Sequence, residues 1–200
     1  CGYVAIIGRP NVGKSTLLNR ILGQKISITA NRPQTTRHRI LGVKTTNKSQ
    51  IIYVDTPGIH MGGKRAINRF MNRTAIGSIS DVDVILFVLD QLQWTDEDEN
   101  VLQKLQQVTV PVYIVVNKID GIKEKERLLP HLKILHEKRQ DVQIIPISAQ
   151  TGEGVEHLEM EVEKHLPMGE PYFPEDQITD RSERFLAAEF VREKLVRSLS

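Results

Sequence analysis

Cysteine is nearly missing from this sequence: Cys1 is the single one among 200 residues. That excludes an internal disulfide framework and fits a reducing compartment. An excess of one charge is missing too, since 27 Lys and Arg stand against 25 Asp and Glu, a formal net charge of +2. A wholly basic nucleic-acid binder is therefore excluded, although a local basic patch is not. Long apolar runs are absent. The longest, at 84–89 and 112–116, fall far short of the roughly 20 residues that a membrane-spanning helix needs. No transmembrane helix is expected, and nothing at the start reads as a signal peptide. The chain opens at Cys1, without a methionine and almost directly into a predicted strand, which reads as a trimmed fragment. There is no internal repeat and no low-complexity segment.

What is present is ordinary globular material, 40% hydrophobic and 26% charged, enough for one domain with a real core and some chain to spare. Apolar runs alternate with helical periodicity. Strands are predicted at 3–7, 38–45, 50–54, 82–89, 112–116 and 142–147, the second and third forming a hairpin. Helices are predicted at 14–22, 66–79, 96–108, 124–139 and 155–166, and residues 24–37 read as a loop. Such alternation implies an α/β fold, a mostly parallel sheet with helices on both faces. Ligands in these sheets bind beyond the carboxyl ends of the strands.

Composition shifts at Pro167, where three prolines fall within eight residues of an extended linker. Beyond it Phe185, Ala188, Val191, Leu195 and Leu199 recur at helical spacing. The expected apolar face has no evident partner in the rest of the chain and reads as the opening of a second domain. The predicted organisation is a nucleotide domain at 1–166, a linker at 167–179 and a first helix at 180–200.

Four short stretches carry chemistry. Gly8-Arg9-Pro10-Asn11-Val12-Gly13-Lys14-Ser15 fits a phosphate-binding loop between the first strand and first helix. Its glycines let backbone N–H groups turn toward phosphates, and the helix N-terminus through Thr16 adds positive potential. Lys14 is expected to reach the β- and γ-phosphates, and Ser15 to offer a hydroxyl to Mg²⁺. Asp55-Thr56-Pro57-Gly58 closes the third strand; Asp55 would serve the Mg²⁺ shell through water, and the Gly58 N–H would approach the γ-phosphate. Asn117-Lys118-Ile119-Asp120 follows another strand. The Asp120 carboxylate suits the guanine N1–H and N2–H₂ donors, which adenine lacks. Asn117 braces the loop and reaches N7, and the Lys118 stem lies over the base. Ser148-Ala149 ends the last strand with a backbone N–H suited to guanine O6. Each stretch alone also reads as a polar turn. Together and in this order they resemble a Ras-like P-loop GTPase over residues 1–166.

Longer stretches narrow the resemblance. Residues 31–39 (NRPQTTRHR), 55–60 (DTPGIH) and 174–182 (PEDQITDRS) are similar to switch I, switch II and the interdomain segment of the Era family of bacterial GTPases. The resemblance implies a switch that hydrolyses GTP to GDP and phosphate in small ribosomal subunit assembly. It implies small-subunit rRNA as partner, bound mainly by a KH domain of which only the first helix is expected here. It also implies a cytoplasmic monomer with peripheral association with the inner membrane. The alternative is an RNA-binding assembly factor in which hydrolysis only resets occupancy. Lys14, Thr36 and Gly58 are the expected catalytic residues, with Thr36 on Mg²⁺ and the γ-phosphate and Thr35 its rival.

Other readings stay open. An apolar Ile59 cannot orient water, so unassisted hydrolysis should be slow, about 10⁻⁴ to 10⁻² s⁻¹. His60 is either a general base or polar surface. Asn11 either ligates an activating K⁺ or simply shapes the loop. Lys64, Arg65, Arg69 and Arg73 form either a solvated face or a phosphate-contacting patch. Trp94 is expected to be packing.

Overall fold

The computed structural model describes residues 1–27, 40–55 and 82–198. The predicted helix at 66–79 and the residues Thr35, Thr36, Gly58, Ile59, His60, Lys64, Arg65, Arg69 and Arg73 lie outside them. Strands are β1 (Gly2–Ile7), β2 (Ile40–Thr45), β3 (Gln50–Asp55), β4 (Val84–Asp90), β5 (Val112–Asn117) and β6 (Gln143–Pro146); helices are α1 (Lys14–Leu22), α2 (Asp96–Leu105), α3 (Leu128–Lys138), α4 (Val155–Glu163) and α5 (Glu183–Ser198).

The sheet runs β2-β3-β1-β4-β5-β6, parallel throughout except for the β2–β3 hairpin. Continuous apolar runs such as VILFVL in β4 arise because both faces of the sheet are covered. Alternation along β1 sorts its residues. Val4 and Ile6 face α1 and α4 in one core with Leu17, Leu18, Leu158 and Val162. Ala5 and Ile7 join a second core with Val101, Leu102 and Leu135 from α2 and α3. The chain leaves β1 toward β3 on one side, while β4 flanks it on the other. The carboxyl end of β1 is thus the switch point at which such sheets hold ligands.

Helix boundaries differ from expectation for local reasons. α3 begins at Leu128 after a separate 3₁₀ turn at Lys125–Arg127, which puts Pro130 in the first helical turn, where its missing N–H costs nothing. α2 starts with a reciprocal cap between Thr95 and Asp98 and stops at Leu105, earlier than expected. Trp94 packs edge-on against Phe87, and its Nε1–H also donates to Glu99 Oε2 at 2.9 Å.

The extended linker expected at 167–179 is a strap fastened to the sheet. Buried Gln50 accepts the N–H groups of Tyr172 and Phe173 on Oε1 and donates Nε2–H to Phe173 O, all at 2.8–2.9 Å. Phe173 packs on Leu41, Ile52 and Val54. Farther on, the strap pairs with the outer edge of β2: Val43 N–H donates to Ile178 O at 2.8 Å and Leu41 N–H to Asp180 Oδ1 at 3.1 Å. α5 touches the rest of the chain in places: Phe185 and Leu186 pack against the first core, and Glu193, 2% exposed, pairs with Lys25. Most of its expected apolar face is nonetheless uncovered, with Ala188, Val191 and Leu195 exposed. No helix among the described residues is long and apolar enough to cross a membrane.

Candidate functional site: a phosphate loop tied to two base-reading loops

The loop from Gly8 to Ser15 connects β1 to α1 at the switch point. Two of its glycines are required by crowding. A Cβ on Gly8 (φ +146°) would lie 2.4 Å from Val88 O, and one on Gly13 (φ +101°) would lie 2.2 Å from Asn117 Nδ2. Exposed Asn11 adopts φ 65°, which asparagine tolerates better than most residues. Gly13, at the N-cap of α1, has no side chain to cap the helix, and no acid occupies its first turn, in which Thr16 is half-buried. Its N–H groups and dipole therefore favour an anion.

Lys14 is buried and donates from Nζ to Gly8 O at 3.0 Å and Arg9 O at 2.7 Å. Burial lowers its pKa to about 8; Asp55 opposes that and Arg9 adds to it. A phosphate would restore the charge that burial disfavours. Asp98, which takes no solvent, accepts Arg9 Nε–H at 2.9 Å and so pins the loop to the start of α2.

Asp55 is fully buried at the end of β3. Its Oδ2 accepts Ser15 Oγ–H at 2.8 Å and Ser27 Oγ–H at 3.0 Å, while Oδ1 has no partner among the described residues. Burial raises its pKa, against the pull of Lys14 and the two hydroxyls. A buried carboxylate with one oxygen unpaired beside a serine hydroxyl fits the donor set of a hard divalent cation such as Mg²⁺.

Asn117 ties the site together. Its Nδ2 donates to Val12 O at 2.8 Å and its Oδ1 accepts Ala149 N–H at 2.9 Å, so one buried side chain holds the phosphate loop and both base-reading loops. Nδ2 keeps a second hydrogen for a base nitrogen. Ser148 Oγ–H donates to Asp120 Oδ1 at 2.5 Å, setting the carboxylate's orientation. The expected backbone donors are already engaged, Ser148 N–H with Glu153 O and Ala149 N–H with Asn117, so a guanine O6 would share the Ala149 donor. Lys118, at φ 63°, extends its ammonium to Asp90 Oδ2 at 2.8 Å.

The structure thus brings together Gly8, Val12, Gly13, Lys14, Ser15 and Asp55 at one end and Asn117, Lys118, Asp120, Ser148 and Ala149 at the other. Sequence reasoning missed Ser27, Asp90 and Arg20, whose Nε–H grips Ala149 O at 3.0 Å. A carboxylate at a strand's end was a usable signal for Asp90. For Ser27 and Arg20 no sequence signal stood out.

A β1 phosphate loop, a strand-end aspartate on β3 and an Asn-Lys-x-Asp loop stitched to Ser-Ala define the nucleotide site of a P-loop GTPase domain. The model of the 50S ribosome-binding GTPase family matches residues 3–118, more than half of the chain. The chain belongs to that family. It is 59% identical over 199 residues to GTPase Era of Pseudomonas fluorescens, covering all of this chain and 66% of that protein. It is equally identical to GTPase Era of Pseudomonas aeruginosa, of which it covers 65%. The chain therefore spans about two thirds of the length of these relatives. Among solved structures, it resembles Era in complex with MgGDPNP and nucleotides 1506–1542 of 16S ribosomal RNA, with a TM-score of 0.85 and 47% identity over 96% of this chain and 66% of that one. A variant of Era from Aquifex aeolicus bound to GDP.AlF4⁻ superposes with a TM-score of 0.84, at the same identity and coverage.

Proposed function

We propose that this chain binds guanine nucleotides and hydrolyses GTP to GDP and phosphate, as the nucleotide-driven switch of a small-subunit assembly factor. The observation that carries the reading is the Asn117 bridge. It places a phosphate loop and a carboxylate suited to guanine on one rigid frame, so phosphate and base are read together. Asp120 selects the base because an adenine would leave that carboxylate unpaired. Lys14 and the N-terminus of α1, which opens on Gly13, hold the phosphates. Ser15 and Asp55 are the residues that would hold Mg²⁺, which when bound neutralises charge on the β- and γ-phosphates. Thr36 and Gly58 complete the expected phosphate contacts, and exposed Asn11 supplies a carbonyl oxygen for an activating K⁺.

The resemblance to Era, one of whose structures holds a 16S rRNA segment, supports small-subunit rRNA as partner. It supports α5 as the first helix of an RNA-binding KH domain that follows the nucleotide domain at 1–166. We further propose a cytoplasmic monomer with peripheral contact to the inner membrane, which sedimentation and membrane fractionation would test. The decisive experiment on the chemistry is single-turnover hydrolysis of GTP and ATP in parallel KCl and NaCl. GTP-only turnover, faster in KCl, is expected. Equal turnover in both salts would remove the K⁺ role, and comparable use of ATP would overturn the guanine reading. For the full-length protein, GTP-dependent rRNA affinity separates a timing switch from a factor whose hydrolysis only resets occupancy.

A further inference from the structure

Ser27 belongs to no motif, yet it is fully buried and held from three directions. Its backbone N–H donates to Asn19 Oδ1 at 2.9 Å, its carbonyl accepts Asn19 Nδ2–H at 2.7 Å, and its hydroxyl donates to Asp55 Oδ2 at 3.0 Å. Asn19 Oδ1 also accepts Ile26 N–H at 2.9 Å. Asn19 sits on α1, the helix that opens with Lys14 and Ser15. The Ser27 hydroxyl is therefore placed by the same element that carries the phosphate-binding side chains.

The chemistry at Asp55 assigns each atom a task. Oδ2 has two lone-pair directions, and the hydroxyls of Ser15 and Ser27 occupy both. A serine hydroxyl has one proton to donate and lone pairs to spare. Ser15 can keep its bond to Asp55 while a lone pair turns to a cation. Ser27 has no such second duty; its hydroxyl fixes the carboxylate so that Oδ1, buried and unpartnered among the described residues, remains for the cation's shell.

We propose that Ser27 is a positioning residue of the Mg²⁺ site, holding Asp55 in its ion-ready orientation on a support provided by Asn19. The proposal rests on the guanine-nucleotide reading above and concerns which of this chain's residues make its binding depend on Mg²⁺. Ser27 acts through Asp55 and not on the nucleotide, so its loss should affect the metal-dependent part of binding alone. A merely structural role would weaken binding with and without metal alike.

The test is binding of fluorescent GDP to the whole chain and to Ser27→Ala, measured across a Mg²⁺ titration and in EDTA. The Mg²⁺ concentration for half-maximal effect should rise about tenfold in Ser27→Ala, the scale of one hydrogen bond to a charged group. Affinity in EDTA should stay within about twofold of the parent's. Asn19→Ala, which keeps the hydroxyl but removes its support, should move the same half-point in the same direction, and it carries the test if Ser27→Ala does not fold. An unchanged half-point, or equal loss in Mg²⁺ and EDTA, would overturn the proposal. Absence of GDP binding by the unaltered chain would instead overturn the functional reading.

Discussion

The lowered pKa of Lys14 predicts proton uptake on nucleotide binding. In the ligand-free chain, burial sets this pKa at about 8. A phosphate beside Nζ favours the ammonium and raises the pKa of the complex well above that value. At pH 7 the free lysine is about nine-tenths protonated, so binding should take up about 0.1 proton; at pH 8.5 it is about one quarter protonated, and uptake should approach about 0.75 proton. Affinity should accordingly be almost flat below pH 8 and fall toward tenfold per pH unit above it. Titration calorimetry of GDP binding in two buffers of different ionisation enthalpy counts these protons directly. Uptake that stays near 0.1 proton at pH 8.5 would refute the reasoning, because Lys14 would then be fully charged before the nucleotide arrives. Stability of the ligand-free chain runs the other way. The unfolded lysine keeps its proton up to about 10.5, so the unfolded state holds more protons between about 8 and 10.5, and this group's contribution rises with pH across that window.

Other substitutions probe the frame. Gly13→Ala would force a Cβ to within 2.2 Å of Asn117 Nδ2 at φ +101°. It should abolish nucleotide binding and cost about 2 kcal/mol or more of stability, read by calorimetry and chemical denaturation. Asp120→Asn should shift preference from GTP toward xanthosine triphosphate by at least about a hundredfold, measured by competition; unchanged specificity would break the link between Asp120 and the base. Gln50→Ala removes three of the bonds that hold the strap, those at Tyr172 and Phe173. It should expose residues 167–175 to limited proteolysis and cost about 2 kcal/mol in denaturation while leaving GDP affinity largely intact.

The parallel sheet was legible in the sequence because strands buried on both faces are continuous apolar runs, and β4 and β5 read that way residue by residue. The phosphate loop and Asn117-Lys118-Ile119-Asp120 were legible for a similar reason. Phosphate binding and base selection demand particular residue types at fixed spacing beside a strand end. In these places local chemistry alone constrains the chain. Tertiary structure decided the rest. Ser27 and Asp55 are far apart in sequence, and nothing about either residue announces that β3 and the segment after α1 bring their oxygens to 3.0 Å. The Ala149 N–H looked available until Asn117 reached it across 32 residues. The Pro-rich segment looked like a spacer because composition reports stiffness and polarity, whereas its fastening depends on Gln50 more than 120 residues earlier. Periodicity and motif spacing record what a residue needs from its immediate neighbours along the chain. Which distant group meets that need is settled only when the sheet assembles and buried polar atoms find their partners.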